Sequence, residues 1–229
     1  MNGLLKEMEL SLDMPADCAR KLMSGVADVG LVPAASIPKI PNAQIITDYC
    51  ISSDGEVASV LLLSDVPLEN IESIMLDYQS MTSVTLVKIL AKELWSISPE
   101  WLPSSPGFEQ TIHGNQAAVV IGDRALEIKS KFRYVHDLSA EWKKLTGLPF
   151  VFACWVANKE LPENFIEHFS SALKSGVDRT QNLAEDIQAN YPSTFHVKEY
   201  LTKSIEYNFT DKKRKSLELF LEKIKTLSA

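Results

Sequence analysis

The chain is 229 residues long, 45% hydrophobic and formally −7 in charge, which gives it enough apolar mass for a sizeable core and no basic face for nucleic acid. Its one dense basic run, Lys212-Lys213-Arg214-Lys215, is followed by Glu218 and Glu222 and reads as the solvated side of a last helix. The longest apolar stretch, 148–157, is too short to span a bilayer, and residues 1–14 lack the charged-then-apolar order of an export signal, so a cytoplasmic protein without membrane contact is expected.

Residues 10–12 read as a short strand. Pro15 then fits the first position of a helix in which Ala19, Leu22, Met23 and Val26 recur at helical spacing, with Gly25 near its stop. Val29-Gly30-Leu31-Val32 is a buried strand halted by Pro33. A proline-rich loop (Pro33, Pro38, Pro41) follows, and 44–50 and 57–63 are the next strands. A short strand over 73–76 enters the polar segment Asp77-Tyr78-Gln79-Ser80-Met81-Thr82-Ser83. From there Val84, Val87, Ala91 and Leu94 keep helical period, so the polar cluster falls at a helix N-terminus. A buried strand over 117–121 ends at Gly122-Asp123 before a short helix. Residues 133–136 form a further strand and 139–146 a helix closed by Gly147, while 150–156, rich in aromatic and β-branched residues, is a strand. Everything beyond Pro162 is expected to be helical, with apolar faces carried by Phe165, Ile166, Phe169 and Leu173, then Leu183 and Ile187, then Val197, Tyr200, Leu201 and Ile205, and finally Leu217, Phe220, Leu221 and Ile224.

Strands alternating with helices favour an α/β fold with parallel or mixed sheets under helices. The order fits two lobes, the chain leaving the first near 63–68, building a second and crossing back near 149–151. A single three-layer domain accounts for the pattern almost as well. In the two-lobed form, residues 1–63 and 152–229 make one lobe and 64–151 the other. Cys18, Cys50 and Cys154 are far apart and read as small buried residues, and His113, His136, His168 and His196 show no ligand spacing, so no metal is implied.

Several segments together resemble the chorismate dehydratase family of menaquinone biosynthesis. Ala27-Asp28-Val29-Gly30-Leu31-Val32-Pro33 resembles its signature near the first crossover, Gly55-Glu56-Val57-Ala58-Ser59-Val60 its Gly-x-Val-x-Ser-Val strand, and Ser80-Met81-Thr82-Ser83 its Ser-x-Thr-Ser helix start. Gly122-Asp123-Arg124-Ala125-Leu126, Asp137-Leu138, Glu141-Trp142 and Thr146-Gly147-Leu148-Pro149-Phe150-Val151-Phe152-Ala153 follow in the family's order. The resemblance implies a two-lobed type II periplasmic-binding-protein-like fold with a substrate cleft between the lobes. It also implies conversion of chorismate to 3-[(1-carboxyvinyl)oxy]benzoate and water in the futalosine pathway, without cofactor or metal. The partner is then the small-molecule substrate, in a monomer or homodimer. The 1,4-dihydroxy-6-naphthoate synthase of the same pathway, and a non-catalytic small-anion-binding protein of the same fold, are the competing readings. Family members begin with a further strand ending in a Ser-Tyr-Leu-Asn type turn whose Asn contacts the substrate. This chain starts at Met1-Asn2-Gly3-Leu4, where Asn2 is no match, so either the true start lies upstream or the product is a weakened relative.

Chorismate carries two carboxylates, and an acidic protein must hold it through local donors such as the unpartnered N–H groups of a helix N-terminus. Ser80, Thr82 and Ser83 are expected to add hydroxyls there, the plainer reading being that one of them is an N-cap worth about 1 kcal/mol. Ser59, matched to the family's cleft-lining serine, is the expected catalytic residue. It would hold a carboxylate or donate to the departing C4 oxygen, the plainer reading being a serine satisfied by nearby backbone. Ser53 and Tyr49 lie on the same approach. Arg124 follows a strand end, where ligands sit in α/β lobes, and would pair with a substrate carboxylate or else lie on the surface. Asp28 reads as structural, Gly30 and Gly55 as places where backbone comes close or turns sharply, and Trp142, Phe150, Phe152 and Trp155 as core. No His, Glu or Lys stands out as a general base. The substrate's enolpyruvyl carboxylate is therefore expected to take the C3 proton, leaving orientation and charge placement to the protein.

Overall fold

The computed structural model describes residues 8–191 and 195–227, so Asn2 lies outside the described residues. Helix α1 (Pro15–Met23) is followed by strands β1 (Val29–Pro33), β2 (Gln44–Ser53), β3 (Val60–Ser64) and β4 (Ser73–Leu76). Then come α2 (Met81–Leu90), β5 (Glu100–Pro103), β6 (Gln116–Ile121), α3 (Asp123–Ile128), β7 (Tyr134–Asp137), α4 (Leu138–Thr146) and β8 (Phe150–Ala157). The chain ends with α5 (Glu163–Asp178), α6 (Thr180–Ile187), α7 (Val197–Glu199), β9 (Glu206–Asn208) and α8 (Asp211–Leu227).

The strands form two sheets, one ordered β1-β8-β2-β9 and one ordered β5-β4-β6-β3-β7. The first is antiparallel throughout, whereas the second pairs β4 in parallel with β5 and β6 and sets β3 antiparallel to β6 and β7. The chain therefore leaves the first sheet after Ser53, enters the second at Val60, and returns between Asp137 and Phe150. Both crossings fall earlier than the 63/64 and 151/152 boundaries read from the sequence.

Continuous apolar runs in β3 and β6 follow from burial on both faces. On one face Leu61, Leu63, Met75, Ala118 and Val120 pack with Phe108, Ile112 and Ala125. On the other, Leu62, Ile74, Ala117 and Val119 join a larger core with Leu86, Val87 and Leu90 of α2 and Leu138 and Trp142 of α4. This core continues into the first sheet through Cys50, Phe150, Cys154 and Val156 and into α8 through Leu217 and Phe220. Trp142, Phe150 and Phe220 meet edge to face, with centroids 5.4, 5.9 and 5.1 Å apart, and the Trp142 indole N–H donates to the Ser216 hydroxyl at 2.9 Å. One glycine shows why α1 can lie against β1: a Cβ at Gly30 would stand 2.5 Å from the Cys18 sulfur and 2.8 Å from Leu22.

Three expectations fail for identifiable reasons. Residues 10–12 are not a strand; among the described residues no strand pairs with them, and Leu12 stays 93% exposed. The proline-rich loop contains a 3₁₀ turn, Ala34–Lys39, with Pro38 inside it. Residues 57–59 do not extend β3, because Ala58 sits at φ +65° and the amides of Val57 and Ala58 turn to a side chain. Strands β5 and β9 were not foreseen: both are short edge strands, one ending in Pro103 and the other lodged among helices. If the Trp142–Phe150–Phe220 cluster joins α8 to α4 and β8, Phe220→Ala should cost about 4 kcal/mol. Urea unfolding measures this, and a midpoint unchanged from wild type would reject the role.

Candidate functional site

The segment linking the sheets is fixed by one carboxylate. Asp137 caps α4, its Oδ1 accepting from the amides of Ser139 and Ala140 at 3.0 and 3.1 Å. Its Oδ2 reaches the first crossing and accepts from Val57 and Ala58 at 2.9 and 2.7 Å. Burial pushes the Asp137 pKa up, and the four N–H donors pull against that.

Ser59, the next residue, is 4% exposed. Its carbonyl accepts from the Gly122 amide at 2.8 Å, tying it to the end of β6. Its hydroxyl lies 2.8 Å from the hydroxyl of Tyr200. Tyr200 opens the π-turn Tyr200–Ser204 that continues α7, with the Phe195 ring 5.5 Å from its own. Burial raises the Tyr200 pKa above the usual tyrosine value; the bond to Ser59 opposes this, and the charges of Asp123 and Asp137 add to it.

The N-terminus of α2 supplies the second part. Ser80 is its N-cap, the Oγ accepting from the Ser83 amide at 3.1 Å. The Thr82 hydroxyl accepts from the Ala35 amide at 3.3 Å and donates to the Phe152 carbonyl at 3.1 Å, so it pins the first turn of α2 to two segments that belong with the first sheet. Ser83 is buried beside it.

Arg124 is held by partners within the protein. Its Nη2 donates to both oxygens of buried Asp77 at 3.0 and 2.9 Å and to the Gln79 side chain at 2.8 Å, and its Nη1 pairs with Glu109. The guanidinium also lies over Tyr78 and Phe108, 5.2 and 5.7 Å from the ring centroids. Asp77 in turn accepts from the amides of Ile121 and Gln79 at 3.1 and 2.9 Å. This cluster ties the end of β4 to the end of β6 and sets the approach to α2. Ser53 closes a turn by donating to the carbonyls of Gly55 and Glu56 at 3.4 and 3.1 Å, where Gly55 has φ +126°.

Ser59, Ser80, Thr82, Ser83 and Arg124 thus stand on directly linked segments: the lead into β3, the ends of β4 and β6, and the first turn of α2. Ser53 stands at the end of β2. Hollows of about 660 Å³, among α5, α6 and β9, and about 270 Å³, around Glu69 and Asn115, are lined by other residues. Sequence reasoning missed Tyr200, which was absorbed into an apolar helical repeat, and the structural weight of Asp77. Asp137 immediately before a helix was a legible N-cap signal. Among the described residues no cluster of metal-ligating side chains forms, and no helix is long and apolar enough to cross a membrane.

A family model described as menaquinone biosynthesis matches residues 2–226. A chorismate dehydratase of Thermus thermophilus is 29% identical over 192 residues, covering 75% of this chain and 70% of its own. One of Campylobacter jejuni is 26% identical over 232 residues, covering 99% and 88%. A crystal structure of an Archaeoglobus fulgidus protein superposes with a TM-score of 0.74 at 13% identity, over 96% of this chain and 86% of that one. The periplasmic aliphatic sulphonate binding protein SsuA of Escherichia coli superposes at 0.61 with 11% identity, over 98% and 83%. These likenesses establish a mixed α/β fold of the periplasmic-binding-protein kind.

Of the six tyrosines, Tyr200 and Tyr207 are held above the usual phenol range by burial. The unfolded chain gives up these protons first, so the stability they contribute is complete below pH about 10 and is lost as pH rises through the folded values. Ultraviolet titration should show two phenols ionising after free tyrosine does, one of them absent in Tyr200→Phe. Simultaneous ionisation of both with free tyrosine would contradict the burial argument.

Proposed function

The chain belongs to the menaquinone-biosynthesis family, and from that premise we propose that it is a chorismate dehydratase, releasing water and 3-[(1-carboxyvinyl)oxy]benzoate as a step of the futalosine pathway. The observation that carries this reading is a family match running almost end to end, together with two relatives named for that activity.

The substrate lies between the two sheets, against the segments just described. One carboxylate meets the first turn of α2, where the amides of Met81 and Thr82, which have no intrahelical acceptor, and the Ser83 hydroxyl stand at the positive end of the helix dipole. Ser80 holds that turn in shape by capping it, and Thr82 holds it against the first sheet. Ser59 meets the reacting end of the ring, near the C4 oxygen. Arg124 and Ser53 act on the backbone: the former, through Asp77, aligns the ends of β4 and β6, and the latter shapes the turn leading to Ser59.

Loss of the C3 proton and the C4 hydroxyl makes the ring aromatic, so the driving force lies in the substrate. The C3 proton passes to the enolpyruvyl carboxylate of the same molecule, and the protein orients that carboxylate and excludes water. Incubated with chorismate, the purified chain should form a product lighter by one water, detected by mass spectrometry, and Ser59→Ala should slow this by about 10²-fold. Chorismate left untouched by wild type would overturn the assignment of activity. A wild-type rate in Ser59→Ala would remove Ser59 alone.

A further inference from the structure

We propose that Tyr200 is the proton donor to the departing C4 hydroxyl, an inference that rests on the dehydratase reading of the same site. Elimination leaves an oxygen that needs a proton, and neither the α2 amides nor Arg124 can supply one: amides do not ionise here, and the guanidinium is committed to Asp77, Gln79 and Glu109. Tyr200 is the acid in direct contact with Ser59, hydroxyl to hydroxyl at 2.8 Å. Because the Tyr200 hydroxyl is within hydrogen-bonding distance of the Ser59 hydroxyl, an oxygen held by Ser59 comes within its reach.

The surroundings of Tyr200 suit a donor and not a base. The charges of Asp123 of α3 and Asp137 of β7 act on it, as do the phenols of Tyr191 and Tyr207, and the Phe195 ring lies alongside. Burial and the nearby carboxylates disfavour the phenolate, so the proton stays on the oxygen until a stronger base appears. The C4 oxygen becomes such a base only as its bond to carbon breaks.

The step balances. The C3–H bond breaks, its proton going to the enolpyruvyl carboxylate and its electron pair becoming the third double bond of the ring. The C4–O bond breaks with its electron pair on oxygen, which takes the Tyr200 proton to complete water. The Tyr200 phenolate, accepting a hydrogen bond from Ser59, regains a proton from solvent when product leaves, and the product carboxyl loses one.

Three versions of the full chain test this with chorismate: wild type, Tyr200→Phe, and wild type carrying 3-fluorotyrosine at position 200. Tyr200→Phe should lower kcat by about 10²-fold with KM little changed. The more acidic fluorophenol should keep activity and move the alkaline limb of kcat to lower pH, a shift that a purely structural tyrosine would not produce. Full activity in Tyr200→Phe, or an alkaline limb unmoved by fluorination, overturns the donor role while leaving the dehydratase reading intact. An inert wild type overturns that reading and the donor role with it. Should Tyr200→Phe unfold, the fluorotyrosine chain decides alone.

Discussion

Buried main-chain amides need acceptors, and where the chain passes from one sheet to the other there is no ladder to provide them. Asp137 provides four of these bonds from a single side chain, two to the crossing that enters β3 and two to the first turn of α4. The left-handed conformation of Ala58, unfavourable for a residue with a Cβ, persists because both flanking constraints fix it. Ser59 is the residue this geometry delivers. Its hydroxyl faces Tyr200 because the two preceding amides face Asp137.

A comparable arrangement sits across the same sheet, at the end of β4. Asp77 takes the Ile121 and Gln79 amides and the Arg124 guanidinium, so the ends of β4 and β6 are held in register beyond the last ladder bond. Breaking such a buried pair would strand a charge, so its geometry is stiff. The apolar parts supply cohesion: α2 is buried on nearly every side, and Trp142, Phe150 and Phe220 lock α4, β8 and α8 together. Cohesion without direction would leave the hydroxyls free to wander, whereas the two carboxylates fix where the hydroxyls of the second sheet's rim can be.

Much of this was legible in the residues. Period-two and period-3.6 patterns located β1, β4, β6, β8, α1, α2 and α4, and Gly147 marked the end of α4 by its left-handed conformation. The same reasoning misread the 10–12 segment, since apolar alternation records what a residue tolerates and not whether a partner strand is present. It also ran β3 too far back, because Val57 looks like a strand residue whichever group its amide bonds to. In the candidate site, the spacing Ser80-x-Thr82-Ser83 was visible, but not the separation of duties in which Ser80 caps and Thr82 bridges. Tyr200 was invisible as a polar group: in a helical repeat a tyrosine counts as a ring, and its oxygen acquires meaning only from a residue 141 positions away.

A dianionic substrate, as proposed above, is at odds with the net charge of −7 taken alone, and the local arrangement resolves the conflict. Of the carboxylates near Ser59, Asp137 is compensated by four amides and Asp77 by Arg124, so neither presents a bare charge. Asp123 is exposed, where water and salt screen it. What remains uncompensated is positive: the first amides of α2, held at the seam by Thr82 and backed by the helix dipole. Net charge is a sum over the surface and decays within a Debye length, while recognition is decided by the few groups within hydrogen-bonding distance. Amides and a guanidinium compensate Asp137 and Asp77, whereas burial disfavours the Tyr200 phenolate, so the rim of the second sheet carries a neutral phenol beside two neutralised carboxylates.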